Sequence, residues 1–156
     1  MVKLAIADTP YFLYSDFELR RRGNTYTAQT LSLLREEYRE DTFYFIIGAD
    51  SLYQIEQWFH PELVMKLAVL LVAGRAYHDD HQPFDRQIEY LTARYGAKIY
   101  PIRCREMDVS SEEIRASVSN GHSIHGFVPD AVEEYIKDHG LYGGCVKNPV
   151  LAGKGE

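Results

Sequence analysis

Residues 42–58 read TFYFIIGADSLYQIEQW, and the fold is decided at their midpoint. Residues 43–47 form an unbroken apolar run, too short for a helix of ordinary length and of the kind that suits a strand covered on both faces. The run stops at Gly48, and Asp50 follows. Leu52, Ile55 and Phe59 then recur at helical spacing until Pro61, which ends that segment and can open another helix at its first position. A buried strand passing directly into a helix is the opening half of a βαβ unit.

The same alternation continues outward. LAVLLVAGR (67–75) is a second strand with no polar face, and AKIYPIRC (97–104) is a third. Between them, FDRQIEYLTARYG (84–96) places Phe84, Ile88, Leu91 and Tyr95 on one helical face, with Gly96 as its C′ residue. Upstream, TYTAQTLSLLREEY (25–38) reads as a helix capped by Thr25 or Thr27, and YFLYSDFEL (11–19) alternates as a short strand ending near Ser15 and Asp16. RRRGN (20–24) is a polar loop between them, and the first eight residues read as the end of an amphipathic helix stopped by Pro10. Downstream, SSEEIRASVSNG and PDAVEEYIKDHG are two more helices, each closed by glycine. Strands alternating with helices of this length predict an α/β fold with a mainly parallel sheet. One domain is expected over residues 1–142, followed by a loosely held tail, residues 143–156, with glycine, proline and charge but no periodicity.

A chain of 156 residues, 46% hydrophobic, can build one sizeable core. A net charge of −6 offers no global attraction to nucleic acid or to an anionic membrane, so an anionic ligand must be held by local donors. No apolar stretch approaches the roughly 20 residues of a bilayer span. Cys104 and Cys145 match no metal or redox spacing, and two reduced thiols in a cytoplasmic protein are the expectation.

Three stretches carry candidate chemistry. In an open parallel sheet, ligands sit beyond the carboxyl ends of the strands. At GADS (48–51), Gly48 permits close approach of a ligand or backbone, while Asp50 or Ser51 can simply cap the next helix. Trp58 lies at the border of the Leu52–Ile55 stripe, which suits core packing or a stacking surface for a flat ring. In VSSEEIR (109–115), Ser110 and Glu113 fit a capping box. Ser110, Ser111 and the backbone amides that open the helix make a phosphate cradle to which Arg115 can add a bidentate contact. An ordinary capped helix with a surface arginine is the alternative. In GNTYTAQTL (23–31), Thr25, Thr27 and the first amides cap a helix and can hold a small carboxylate. His78 and His81 in YHDDHQPFD, and His122 and His125 in NGHSIHGF, read as solvated loops rather than metal sites.

Five segments, SDFELRRRGNTYTAQTL, FIIGADSLYQIEQW, LLVAGR, VSSEEIR and VPDAVEEYIKDHGLY, occur in the order found in bacterial nicotinate-nucleotide adenylyltransferases, and the chain resembles that family from Met1 to about Tyr142. The resemblance implies a Rossmann-type nucleotidyltransferase of NAD biosynthesis that joins nicotinate mononucleotide to ATP, with Mg²⁺, and releases pyrophosphate. It implies that Trp58 stacks on the nicotinate ring, with Thr27 and Tyr53 near its carboxylate. Asp50 and Gly48 would lie at the nucleotide crevice, and Ser110, Ser111 and Arg115 would receive the ATP phosphates.

Two departures shape the expectations. The family's His-x-Gly-His signature occurs nowhere in these 156 residues, and Glu112 stands where a small polar residue is commoner. Met1 corresponds to the middle of a helix that follows the family's first two strands, so the natural product is expected to extend upstream. Otherwise the exposed edges predict a homodimer. The alternative to an enzyme is a non-catalytic nucleotide-binding or assembly module.

Overall fold

The computed structural model describes residues 1–73, 84–104 and 109–143. In chain order these form α1 (Val2–Ala5), α2 (Thr27–Glu37), β1 (Phe43–Gly48), α3 (Ala49–Gln54), α4 (Pro61–Leu67), β2 (Ala68–Ala73), α5 (Phe84–Tyr95), β3 (Ile99–Ile102), α6 (Ser111–Ser119) and α7 (Asp130–Asp138), with short 3-10 turns at Ile55–Gln57 and Leu141–Gly143. They fall into two compact units. One comprises Asp16–Glu106; the other comprises Met1–Ser15 and Met107–Glu156.

The Asp16–Glu106 unit holds the sheet, ordered β1-β2-β3 with both pairs parallel. Register sets Phe43 against Ala68 and Gly48 against Ala73, so β1 and β2 run their full lengths together. One face is closed. Ile47, Leu70, Val72 and Ile99 meet Ala28 and Leu31 of α2, Leu52 of α3, Val64 and Met65 of α4, and Leu91 of α5 in one apolar cluster. Leu52, Ile55, Val64, Leu70, Val72 and Leu91 are fully buried, each contributing about 1.5–3 kcal/mol through removal of its apolar surface from water. A hydrogen-bonded rim stands beside the core: Tyr95 donates to Glu56 Oε1 at 2.8 Å, Tyr90 to the same oxygen at 3.2 Å, and Arg94 to the Tyr90 hydroxyl at 2.7 Å. The acceptor carboxylate of Glu56 is the main reason the Tyr95 hydroxyl is held above its ordinary pKa.

Pro61 opens α4 at its first turn, and Gly96 takes φ +65° after α5, as the sequence requires. The other unit packs α1 on α7 and gathers Val118, Ile124, Val132 and Ile136 into its own small core. Glu133 is buried within it. Its Oε1 accepts from Ser123 Oγ at 2.9 Å, the Ile124 amide at 3.3 Å and Lys137 Nζ at 2.7 Å. Those bonds, Lys137 first, hold its carboxyl below the usual range.

Four local expectations are corrected. Residues 11–16 form no strand: Leu13 is 90% exposed, and the segment is not part of the β1-β2-β3 sheet. Alternation supplies a face, but a strand also needs a neighbour for its amides. β1 is covered on one side, not two; Tyr44 and Ile46 are 62% and 65% exposed on the face opposite the cluster. An all-apolar run does not say which faces receive cover, and the stripes of α2 to α5 all meet the Phe43–Phe45–Ile47 side. The residue before α2 is Tyr26, with no side-chain cap, so Thr27 is the first helical residue and neither threonine caps the helix. Likewise α3 starts directly at Ala49 from extended Gly48, which puts Asp50 and Ser51 inside its first turn rather than ahead of it. The tail beyond Gly143 and the YHDDHQP loop lie outside the described residues.

Candidate functional site

The Asp16–Glu106 unit carries five of the candidate residues: Thr27, Gly48, Asp50, Tyr53 and Trp58. Gly48 terminates β1 at the carboxyl end of the sheet, with extended backbone at φ −80° and ψ 162° that any residue can adopt. Among the described residues, a Cβ there would meet no atom within 4 Å. Neither its conformation nor its packing against the described residues therefore asks for glycine. Asp50 follows on the exposed side of the first turn of α3, where the unsatisfied amides favour a carboxylate. Tyr53, half-buried, packs against the apolar cluster from the same helix.

Trp58 ends the 3-10 turn. Its ring lies edge-on to Phe45, centroids 6.2 Å apart and planes at 66°, and it remains half-buried. The ring packs against the core cluster and stays partly exposed. Next comes Phe59, whose ring stacks on Tyr26 at 4.4 Å and 28°. His60 then takes left-handed backbone, φ 50° and ψ 60°, uncommon for a residue with a side chain. Its carbonyl accepts from the Leu63 amide at 3.0 Å, and its ring bonds Glu62 at 2.9 Å, lowering the Glu62 pKa. Thr27 opens α2 immediately after Tyr26. Arg21 braces that helix from the preceding loop, donating to Thr30 Oγ1 at 3.1 Å and Gln29 Oε1 at 2.8 Å, and Thr30 in turn donates to Glu18 at 2.6 Å. Between α2 and α4 runs a mostly apolar crevice of about 280 Å³ lined by Ala28, Leu33, Phe59 and Leu63, with Arg21 at its border.

Ser110, Ser111 and Arg115 belong to the other unit. The capping box is present in both directions: Ser110 Oγ accepts from the Glu113 amide at 3.1 Å, and the Ser110 amide donates to Glu113 Oε2 at 2.7 Å. The amide bond from Ser110 is the largest cause of the low Glu113 pKa. The box consumes the Ser110 amide. It also engages the Ser110 hydroxyl oxygen, and leaves the Ser111 hydroxyl and the amides of Ser111 and Glu112 in the first turn, where no helical carbonyl is in reach. Arg115 is exposed one turn on.

Among the described residues, His125, Asp130 and Glu133 have ligand atoms within 4.8 Å of one another. However, Glu133 is already matched by Lys137, and His125 Nδ1 by Asp130 at 2.9 Å. The His78 and His81 loop lies outside the described residues. What the sequence reading missed is the Tyr26–Phe59 stack and the Arg21 brace. The stack leaves no sequence trace, because Tyr26 precedes an uncapped helix start and Phe59 shares the helical spacing of Leu52 and Ile55. The second was hidden because RRRGN reads only as polar.

No family model matches the chain. Curated relatives do. The chain is 47% identical over 142 residues to a probable nicotinate-nucleotide adenylyltransferase of Lachnoclostridium phytofermentans, covering 91% of this chain and 70% of the relative. It is 39% identical, with the same coverage, to the corresponding protein of Caldicellulosiruptor bescii. The fold is similar to Plasmodium falciparum nicotinic acid mononucleotide adenylyltransferase complexed with NaAD, at TM-score 0.70 and 19% identity, covering 94% of this chain and 73% of that one. It is also similar to the same enzyme complexed with APC, at TM-score 0.61 and 21% identity, covering 81% and 62%. The His-x-Gly-His signature is not among the present residues, yet identity of this order across nine-tenths of the chain leaves one assignment. The chain belongs to the nicotinate-nucleotide adenylyltransferases, nucleotidyltransferases of NAD biosynthesis.

Proposed function

We propose that this chain binds nicotinate mononucleotide and MgATP, with Gly48 at the end of β1 and, in the other unit, the start of α6 each offering backbone donors to the nucleotides. In the reaction an oxygen of the mononucleotide phosphate bonds to the α-phosphorus of ATP, the α–β linkage breaks, and pyrophosphate leaves. The observation that carries the reading is Gly48, a glycine that neither its backbone nor its described neighbours require, at the carboxyl end of a parallel strand in a chain of this family. A ligand passing close to the backbone would account for it.

Within that reading Trp58 offers its open surface to the nicotinate ring. Thr27 presents a hydroxyl and the first amides of α2 to the ring carboxylate, with Tyr53 beside it, and Asp50 faces the ribose. Ser110, Ser111 and Arg115 take ATP phosphates. Phosphoryl chemistry of this kind needs alignment and charge compensation more than covalent help. Amides, hydroxyls and one guanidinium supply both. Mg²⁺ arrives on the triphosphate as part of the substrate. Glu112 and Glu113 make the α6 end less positive than two serines alone would, and Arg115 offsets them.

The reading extends to a cytoplasmic location and a homodimer. No helix among the described residues is long and apolar enough to cross a membrane, and the exposed Tyr44 and Ile46 face is apolar surface that a second copy would cover. A second reading, a binding module without turnover, draws on the missing His-x-Gly-His signature. Calorimetric titration with each nucleotide, followed by a pyrophosphate assay with both, separates the two. Binding with pyrophosphate release supports the enzyme. Binding alone supports the module. Binding of neither contradicts both.

A further inference from the structure

We infer that Tyr26 and Phe59 are positioning residues for the nicotinate pocket, acting as an aromatic clasp that holds Thr27 and Trp58 in register. The inference rests on the binding reading above and goes beyond it, since neither ring is among the proposed ligand contacts. Tyr26 immediately precedes Thr27, and Phe59 immediately follows Trp58. Their rings stack at 4.4 Å and 28°, joining the start of α2 to the end of the 3-10 turn. α2 lacks a side-chain cap at Tyr26, so its first residues are held by the Arg21 bonds to Gln29 and Thr30 and by this stack.

The chain also accepts an unfavourable backbone beside the stack. His60 sits in the left-handed region at φ 50°, and its ring lies edge-on to Phe59 at 4.2 Å. Strain of this sort persists where surrounding structure over-determines it. The turn at His60 sends the chain from Phe59 into α4, whose Leu63 lines the crevice against α2. Both rings are exposed to about two-fifths, Tyr26 at 38% and Phe59 at 43%. Neither residue belongs to the core cluster. An exposed stack that bridges two ligand-bearing segments sets the spacing between them, and a pocket for a rigid flat acid depends on that spacing.

Calorimetric titration of the full chain with nicotinate mononucleotide and, separately, MgATP tests the inference. Tyr26→Ala and Phe59→Ala are each expected to weaken mononucleotide binding about three- to tenfold, the range of an aromatic pair, while MgATP affinity stays unchanged. The double variant is expected to bind no worse than the weaker single, because one contact is removed twice. Tyr26→Phe keeps the stack and is expected to bind as the wild type does. Phe59→Leu, which keeps apolar bulk and safeguards folding, is expected to weaken the mononucleotide alone. Unchanged mononucleotide affinity in the alanine variants, additive losses, or an equal loss for MgATP overturns the clasp while leaving the binding reading intact. A wild-type chain that binds no mononucleotide overturns that reading, and the clasp with it.

Discussion

Trp58 and Gly48 make opposite demands on experiment. Trp58 both packs on Phe45 and shows surface, so Trp58→Ala is expected to lower nicotinate mononucleotide affinity about ten- to a hundredfold, as loss of a ring stack does, with MgATP binding retained. Equal loss of both nucleotides would make the tryptophan a packing residue only. Gly48→Ala is the converse: its Cβ enters open space, so the melting temperature is expected to hold or rise slightly while MgATP binding weakens. A destabilised variant with normal binding would contradict the role given to Gly48. Arg115, exposed on α6, can be removed at little structural cost. Arg115→Ala is expected to reduce ATP-side affinity or turnover by about ten- to a hundredfold, the worth of a hydrogen-bonded charge, and unchanged kinetics would take it out of the site. At this scale the sequence was informative about residue type and poor about company. It marked Trp58, Gly48 and Arg115, but a stack between Tyr26 and Phe59, 33 positions apart, leaves no periodic trace.

Among the elements, β2, α4, α5 and α6 were legible because their determinants are local. These are a run of buried apolar residues, Pro61 at a helix start, Gly96 at a helix end, and Ser110 with Glu113 as a capping box. The boundaries of α2 and α3 were not, because both begin without side-chain caps. The failed strand at residues 11–16 shows the limit of alternation, since a strand is specified by its partner as much as by itself. Two predictions belong here. Ser110→Ala removes one half of a reciprocal cap and is expected to cost about 1 kcal/mol, visible as a drop of a few degrees in melting temperature. Glu133 gives a pH test. Its carboxyl is held low in the folded chain, chiefly by Lys137 and then by Ser123. It therefore contributes stability above the unfolded carboxylate range of about 4.3, and that contribution disappears as pH falls through the lower folded value. Melting temperature should fall on acidification below about pH 4.3, and Glu133→Gln should flatten part of that fall while lowering stability at pH 7. An unaltered acid slope in the variant would show that other carboxylates carry it.

For the molecule as a whole, α/β class and parallel pairing were readable from alternation alone, and the relatives bear out the family that five ordered segments suggested. The one-sided cover of β1 was not readable, because a wholly apolar strand says that its surroundings are apolar and not where they are. We take residues 1–142 to be one cooperative domain. That proposal expects a single calorimetric transition, and two resolved transitions would mean that the compact units unfold independently. The homodimer expects a sedimentation mass near twice 18.0 kDa, and a monomer at all concentrations would remove it.

The account stands most directly on recognition of an aromatic acid at the end of β1. Parallel calorimetric titrations with nicotinate mononucleotide and with its amide counterpart, nicotinamide mononucleotide, test it. The account predicts saturable binding of the acid, weaker binding of the amide, and loss of the acid's advantage in Thr27→Ala. Equal affinity for acid and amide in the wild type, or no binding of the acid at all, would contradict it.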